Sequence, residues 1–132
     1  MNITADTNVL LRAIVGDDPI QAKAAVEALA EAELVAVTLQ ALCELVWVLD
    51  RHYGVERNDI AIAIERLLDT KNVAVDRVAV QAGLSLLNAG GDFADGVIAF
   101  TGRMMGAEHF VSFDRKAVRL LKTAGQEAVL LP

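Results

Sequence analysis

The chain has one cysteine and two histidines among its 132 residues. A single thiol excludes an internal disulfide, and three such side chains are too few for an ordinary zinc site. Aromatic residues make up only 5%, while alanine occurs 22 times. Together these favour closely packed helices over an all-β sandwich. No long apolar run exists: the longest uncharged stretch, Val78 to Gly91, has 14 residues, against the roughly 20 that a spanning helix needs. No basic segment precedes the first apolar run, and Asp6 interrupts it, so no secretory signal is expected. A soluble, cytoplasmic protein is the expectation, with no membrane partner. Repeats, low-complexity segments and Gly/Ser linkers are also missing, so residues 1–132 are expected to form a single domain.

Basic residues are in deficit, 12 against 18 acidic, giving a net charge of −6 and a pI near 4.8. As a whole-chain figure this argues against sequence-independent nucleic-acid binding. Charges gathered on one face would escape such a sum. Hydrophobic residues supply 55% of the chain and mean hydropathy is +0.42, which excludes intrinsic disorder. A chain of this length buries roughly two-thirds of its unfolded surface, enough for a packed core.

Short apolar strands alternate with helical patterns. Strands are expected at 2–5, 34–37, 72–75, 109–112 and 128–131. Helices are expected at 7–15, from the Asp18-Pro19 start to Glu33, and from the Thr38 cap to Tyr53 before Gly54. Ile60, Ile64, Leu67 and Leu68 mark the face of another. Two more follow the caps Asp76 and Asp92, ending at Gly90-Gly91 and Gly106, and the last covers Arg115 to Thr123. This alternation implies parallel strands with helices on both faces, an α/β three-layer sandwich around a central, mainly parallel sheet.

In such sheets, sites form outside the carboxyl ends of the strands, and the acids are distributed accordingly. Asp6 follows the first strand and Asp114 the fourth. Asp92 and Asp95 lie three apart at the start of one helix and share a face. Glu44 is the only charge in the 16 residues from Leu34 to Leu49, and a carboxylate among apolar neighbours is costly unless paired. Each acid also has a local explanation. Asp6, Asp92 and Asp114 stand where helix caps are useful, Asp95 suits a helix N-terminus, and Glu44 could snorkel or pair with an arginine. One shared cause covers all five: a hard divalent cation such as Mg²⁺ or Mn²⁺. Such ions activate water and stabilise in-line displacement at phosphorus.

Asp6-Thr7-Asn8-Val9-Leu10, the lone Glu44, Asp92-Phe93-Ala94-Asp95-Gly96-Val97-Ile98-Ala99 and Ser112-Phe113-Asp114-Arg115 resemble, in order and spacing, the PIN domain. The chain looks closest to the VapC-like toxin ribonucleases of type II toxin–antitoxin systems. The resemblance runs from Asp6 to the helix after Asp114. It implies four acidic metal ligands at Asp6, Glu44, Asp95 and Asp114. Asp92 is a further acid that binds metal through water or only caps its helix. Thr7, Asn8 and Ser112 resemble groups that orient carboxylates and waters. The implied activity is that of an Mg²⁺- or Mn²⁺-dependent endoribonuclease acting on RNA, held in check by a cognate antitoxin protein and commonly a homodimer. Gly96 stands where relatives often carry alanine.

Arg12, one turn past Asn8, and Arg115, next to Asp114, are the cations expected nearest to a phosphate. Cys43, Trp47, His52 and His109 have no partners that would make a nucleophilic triad. Cys43 is expected in the core, Trp47 in the core or a dimer surface, and both histidines in structural or surface roles. Two alternatives remain. A receiver-type phosphoacceptor would need an acceptor Asp at the third strand and a lysine near the last. The third strand leads only to Asp76, and no matching lysine follows. A catalytically silent PIN-like binding module differs from the nuclease only in an activity assay. No feature reads an RNA sequence, since RNA recognition depends largely on shape and unpaired loops.

Overall fold

The computed structural model describes all 132 residues. The chain divides into two compact units, Met1–Asp76 and Arg77–Pro132. Seven helices and five strands are present, and every strand pair is parallel. The α/β class and the parallel pairing agree with the sequence expectation.

The first unit runs β1 (Asn2–Thr4), α1 (Thr7–Val15), α2 (Pro19–Glu31), β2 (Leu34–Ala36), α3 (Leu39–Arg51), α4 (Arg57–Leu68) and β3 (Val73–Ala74). Its strands pair in the order β1-β2-β3, with Ile3 opposite Val35 and Val35 opposite Val73. Val35 is fully buried at the centre, with Leu10, Leu42, Leu45, Leu49, Ile60 and Ile64 also in the core. Asp18 caps α2 by accepting from the Gln21 N–H, and Pro19 fills the first helical position, where its missing N–H costs nothing.

Two helices in this unit stop short of their expected ends. Glu33 lies beyond α2 because Ala32 is extended, and the Asn72 amide donates to the Leu29 and Ala32 carbonyls. Strand β3 is also shorter than expected, with two residues, although the Val35 N–H still donates to the Asn72 carbonyl at 2.7 Å. Tyr53 lies beyond α3, its N–H donating back to the Val48 carbonyl. Its hydroxyl donates to Asp17 Oδ2 at 2.9 Å.

The second unit runs α5 (Arg77–Asn88), α6 (Phe93–Met104), β4 (Phe110–Ser112), α7 (Arg115–Thr123) and β5 (Ala128–Leu130), with β4 and β5 paired from Phe110–Ala128 to Ser112–Leu130. Leu86, Ala99, Val118, Leu121 and Ala128 form one core cluster, and Val80, Leu84 and Phe93 are also buried. Helices α5 and α6 meet at glycines. A Cβ built at Gly96 would lie 2.5 Å from the Ala82 carbonyl oxygen and 2.9 Å from the Gly83 Cα. One at Gly83 would strike the buried Phe93 ring at 2.6 Å. Gly96 is therefore a packing requirement of this chain, set by the backbone of α5.

Candidate active site

In the first unit, Asp6 follows β1 and caps α1, its Oδ1 accepting from the Val9 N–H at 2.9 Å. Glu44 projects from the second turn of α3. That helix buries Leu42, Leu45, Val46 and Leu49, leaving Glu44 and Trp47 exposed. The desolvation cost expected for a lone carboxylate in an apolar segment is therefore absent: the charge lies on the wet side of an amphipathic helix. The Thr7 hydroxyl lies 3.3 Å from Glu44 Oε2 and 3.3 Å from the Ala41 carbonyl, tying the start of α1 to α3. Asn8 is exposed and its side chain makes no hydrogen bond.

In the second unit, Asp92 caps α6 through Oδ1 and the Ala94 N–H at 3.0 Å. Asp114 caps α7, its Oδ1 accepting from the Lys116 and Ala117 N–H groups at 2.9 and 3.1 Å. Ser112 Oγ accepts from the Asp114 N–H at 3.0 Å, fixing the turn after β4. Asp95 sits half-buried in the first turn of α6. Burial pushes its carboxyl above the usual carboxylate range, and the negative charges of Asp92 and Asp114 push it further. Asp95 thus feels the charges of both acids, and a cation beside it would relieve that repulsion.

The capping explanation and the metal explanation are compatible. Each of Asp6, Asp92 and Asp114 caps through Oδ1 alone, and Oδ2 receives no hydrogen bond. The helix N–H groups orient the carboxylate while one oxygen stays open. Asp6→Ala is expected to lower stability by about 1 kcal/mol through the lost cap, whereas Asp6→Asn, which caps equally well, should cost little. Chemical denaturation of the two variants checks this; equal losses would mean the cap is not what Asp6 contributes to the fold.

The donor set is carboxylate oxygen throughout, which suits Mg²⁺ or Mn²⁺ and not softer ions. Within neither unit do three or more His, Cys, Asp or Glu side chains stand close enough together to hold an ion. Of the expected residues, the structure joins Thr7 to Glu44, Ser112 to Asp114, and Asp95 electrostatically to Asp92 and Asp114.

Arg12 does not stand free for a phosphate. Its Nη1 is 2.8 Å from Asp17 Oδ1. This bond and the one from Tyr53 hold the Asp17 carboxyl below the usual range, with Tyr53 the larger cause. Arg12 Nε is shielded from solvent and meets no acceptor. Arg115 is exposed. Cys43 is half-buried, and His52 packs edge-on against Trp47 at 5.5 Å. The Arg12–Asp17–Tyr53 cluster was not legible in the sequence, because Tyr53 lies 36 residues beyond Asp17.

A family model described as PIN domain matches residues 3–122. The match spans both units and decides against the receiver-type alternative. A search of curated proteins finds no match.

Proposed function

The chain belongs to the PIN domain family, and on that premise we propose that it is an Mg²⁺- or Mn²⁺-dependent endoribonuclease. PIN domains are generally nucleases acting on nucleic acid, typically with divalent ions. The proposed ligands are Asp6, Glu44, Asp95 and Asp114, assigned by the family pattern alone. The observation carrying the proposal is Asp95. It sits half-buried in the first turn of α6, its carboxyl pushed up by burial and by the negative charges of Asp92 and Asp114, a perturbation of the kind that functional sites carry.

When bound, a divalent cation supplies Lewis acidity, lowering the pKa of a water and offsetting charge that develops at phosphorus. The protein's share is positioning. Asp6 and Asp114 are pre-oriented by their helix N–H groups, each with Oδ2 open. The Thr7 hydroxyl steadies Glu44, and Ser112 steadies the Asp114 turn. Asp92 acts on Asp95 through its charge. Purified protein is expected to cut RNA with Mg²⁺ or Mn²⁺ and to stop in EDTA. Cleavage at full rate in EDTA by clean protein would sink the proposal.

The same reading makes the protein the toxin of a toxin–antitoxin pair, cytoplasmic, homodimeric and inhibited by a cognate antitoxin. No helix is long and apolar enough to cross a membrane. Trp47, 54% exposed on α3, supports a protein partner on that helix. Light scattering at micromolar concentration is expected to give twice the 14.1 kDa chain mass. A one-chain mass would contradict the dimer.

A further inference from the structure

Helix α7 carries Arg115, Lys116, Arg119 and Lys122 and no acidic residue. Its charge is +4 in a chain of net −6, so the rest of the chain carries −10. Residues three and four apart on a helix are neighbours. Arg115, Arg119 and Lys122 therefore form one row, with Lys116 beside it. At 1.5 Å per residue the row is about 10 Å long. All four side chains are exposed, and none pairs with a carboxylate. Such a row repels itself and is relieved by a polyanion. The opposite face of α7, with Ala117, Val118 and Leu121, is buried in the second unit. No apolar face is left to enter a lipid surface.

Phe113 is an independent observation. It stands between the last residue of β4 and the Asp114 cap, and it is 73% exposed. Phe93 is fully buried, and Phe100 and Phe110 are partly so. The turn that carries Phe113 is pinned on its C-terminal side: the Asp114 N–H donates to Ser112 Oγ, and the Asp114 carboxylate takes two N–H groups of α7. An exposed ring on a fixed turn beside unpaired cations matches what a single strand offers, a flat base and a charged backbone.

We infer that Phe113 and the basic row of α7 form a binding track for single-stranded RNA. The ring stacks on a base, and Arg115, Lys116, Arg119 and Lys122 meet successive phosphates, seating the strand beside Asp114. The choice of RNA rests on the nuclease function proposed above. An acidic polypeptide would satisfy the cations but leave Phe113 without a stacking partner.

The test is fluorescence anisotropy of a short labelled RNA with the whole protein in EDTA, across a series of salt concentrations. Each phosphate that a cation neutralises contributes about 0.7 to the steepness of log K against log salt for a single strand. Arg119→Gln combined with Lys122→Gln should therefore flatten the slope by about 1.4. Lys71→Gln, exposed in the first unit, should leave it unchanged. Phe113→Ala should weaken binding about 5- to 150-fold with the slope unaltered. Unchanged melting temperatures establish that the variants fold; if the double variant melts early, Lys122→Gln alone is read, with an expected change of about 0.7.

Unlabelled DNA of the same sequence and polyglutamate serve as competitors. Displacement by the polynucleotides, with or without a preference for RNA, supports the track. Displacement by polyglutamate as effective as by RNA, with Phe113→Ala silent, overturns it, as does an unchanged slope in a folded double variant. Cleavage in Mg²⁺ separates the two proposals. Wild type that binds through these residues but does not cut keeps the track and loses the nuclease. Wild type that cuts, with variants that bind and cut alike, loses only the track.

Discussion

Replacing Asp95 with Asn is expected to abolish RNA cleavage while raising the melting temperature of the metal-free protein. Burial and the charges of Asp92 and Asp114 hold the Asp95 carboxyl above its ordinary 3.8. A group whose folded pKa is raised favours the fold below its unfolded pKa, and that contribution is lost as pH rises through the folded pKa. Above that range the ionised carboxylate is a liability in the absence of a cation. Asn removes the charge at nearly constant volume. The gain in melting temperature should thus be absent below the ordinary Asp range, grow as pH rises, and level off once wild-type Asp95 is fully ionised. In Mg²⁺ the order reverses, because wild type gains stability by mass action and the variant has lost a ligand. Cleavage should fall by about 10³-fold, the rate equivalent of the several kcal/mol that a divalent cation supplies. Thermal melts in EDTA and in Mg²⁺ at several pH values check the account. A variant that is less stable in EDTA and still fully stabilised by Mg²⁺ would show that Asp95 is not a ligand.

Two glycines of α6 should respond to alanine with opposite signs. At Gly96 the new methyl would meet helix backbone, the Ala82 carbonyl oxygen at 2.5 Å and the Gly83 Cα at 2.9 Å. Backbone cannot turn away as a side chain can, so α5 and α6 must separate. Overpacking of this kind costs about 1–3 kcal/mol, more than the ~1 kcal/mol that alanine contributes to helix propensity. With both effects counted, a fall in melting temperature of about 5 °C is expected. At Gly102 the nearest atom to a new Cβ is the Ala107 methyl at 3.9 Å, an ordinary contact. Gly102→Ala should therefore stabilise by about 0.5–1 kcal/mol. Melting curves of both variants decide the matter. A Gly96→Ala variant as stable as wild type or more so would mean that the glycine contact between α5 and α6 is not tight.

Signals confined to a few residues were readable in the sequence. Helices α1 and α7 have the expected bounds, and Thr38, Asp18 and Asp92 cap as their residue types suggest. Capping and hydrophobic period act over one or two turns, so the sequence contains them whole. Features that depend on distant segments were not readable. Nothing near Glu44 reveals that it faces water, because that depends on which side of α3 packs. The requirement for glycine at position 96 is set by Ala82 and Gly83 on another helix. The net charge of −6 conceals the unpaired basic row of α7, since a whole-chain sum erases position. The acids stand out in the sequence by their order along the chain, but capping through Oδ1 with Oδ2 left open is visible only in three dimensions.

The central claim is that these carboxylates hold the divalent cation with which the protein cuts RNA. The most direct test is Mn²⁺ binding, read from the paramagnetic signal of the free ion, on wild type, Glu44→Gln and Asp95→Asn, with RNA cleavage assayed on the same samples. The account predicts that wild type binds Mn²⁺ and cuts, and that both variants lose binding and cleavage together while staying folded. Folded variants that bind Mn²⁺ as wild type does, or that still cut RNA, would contradict it.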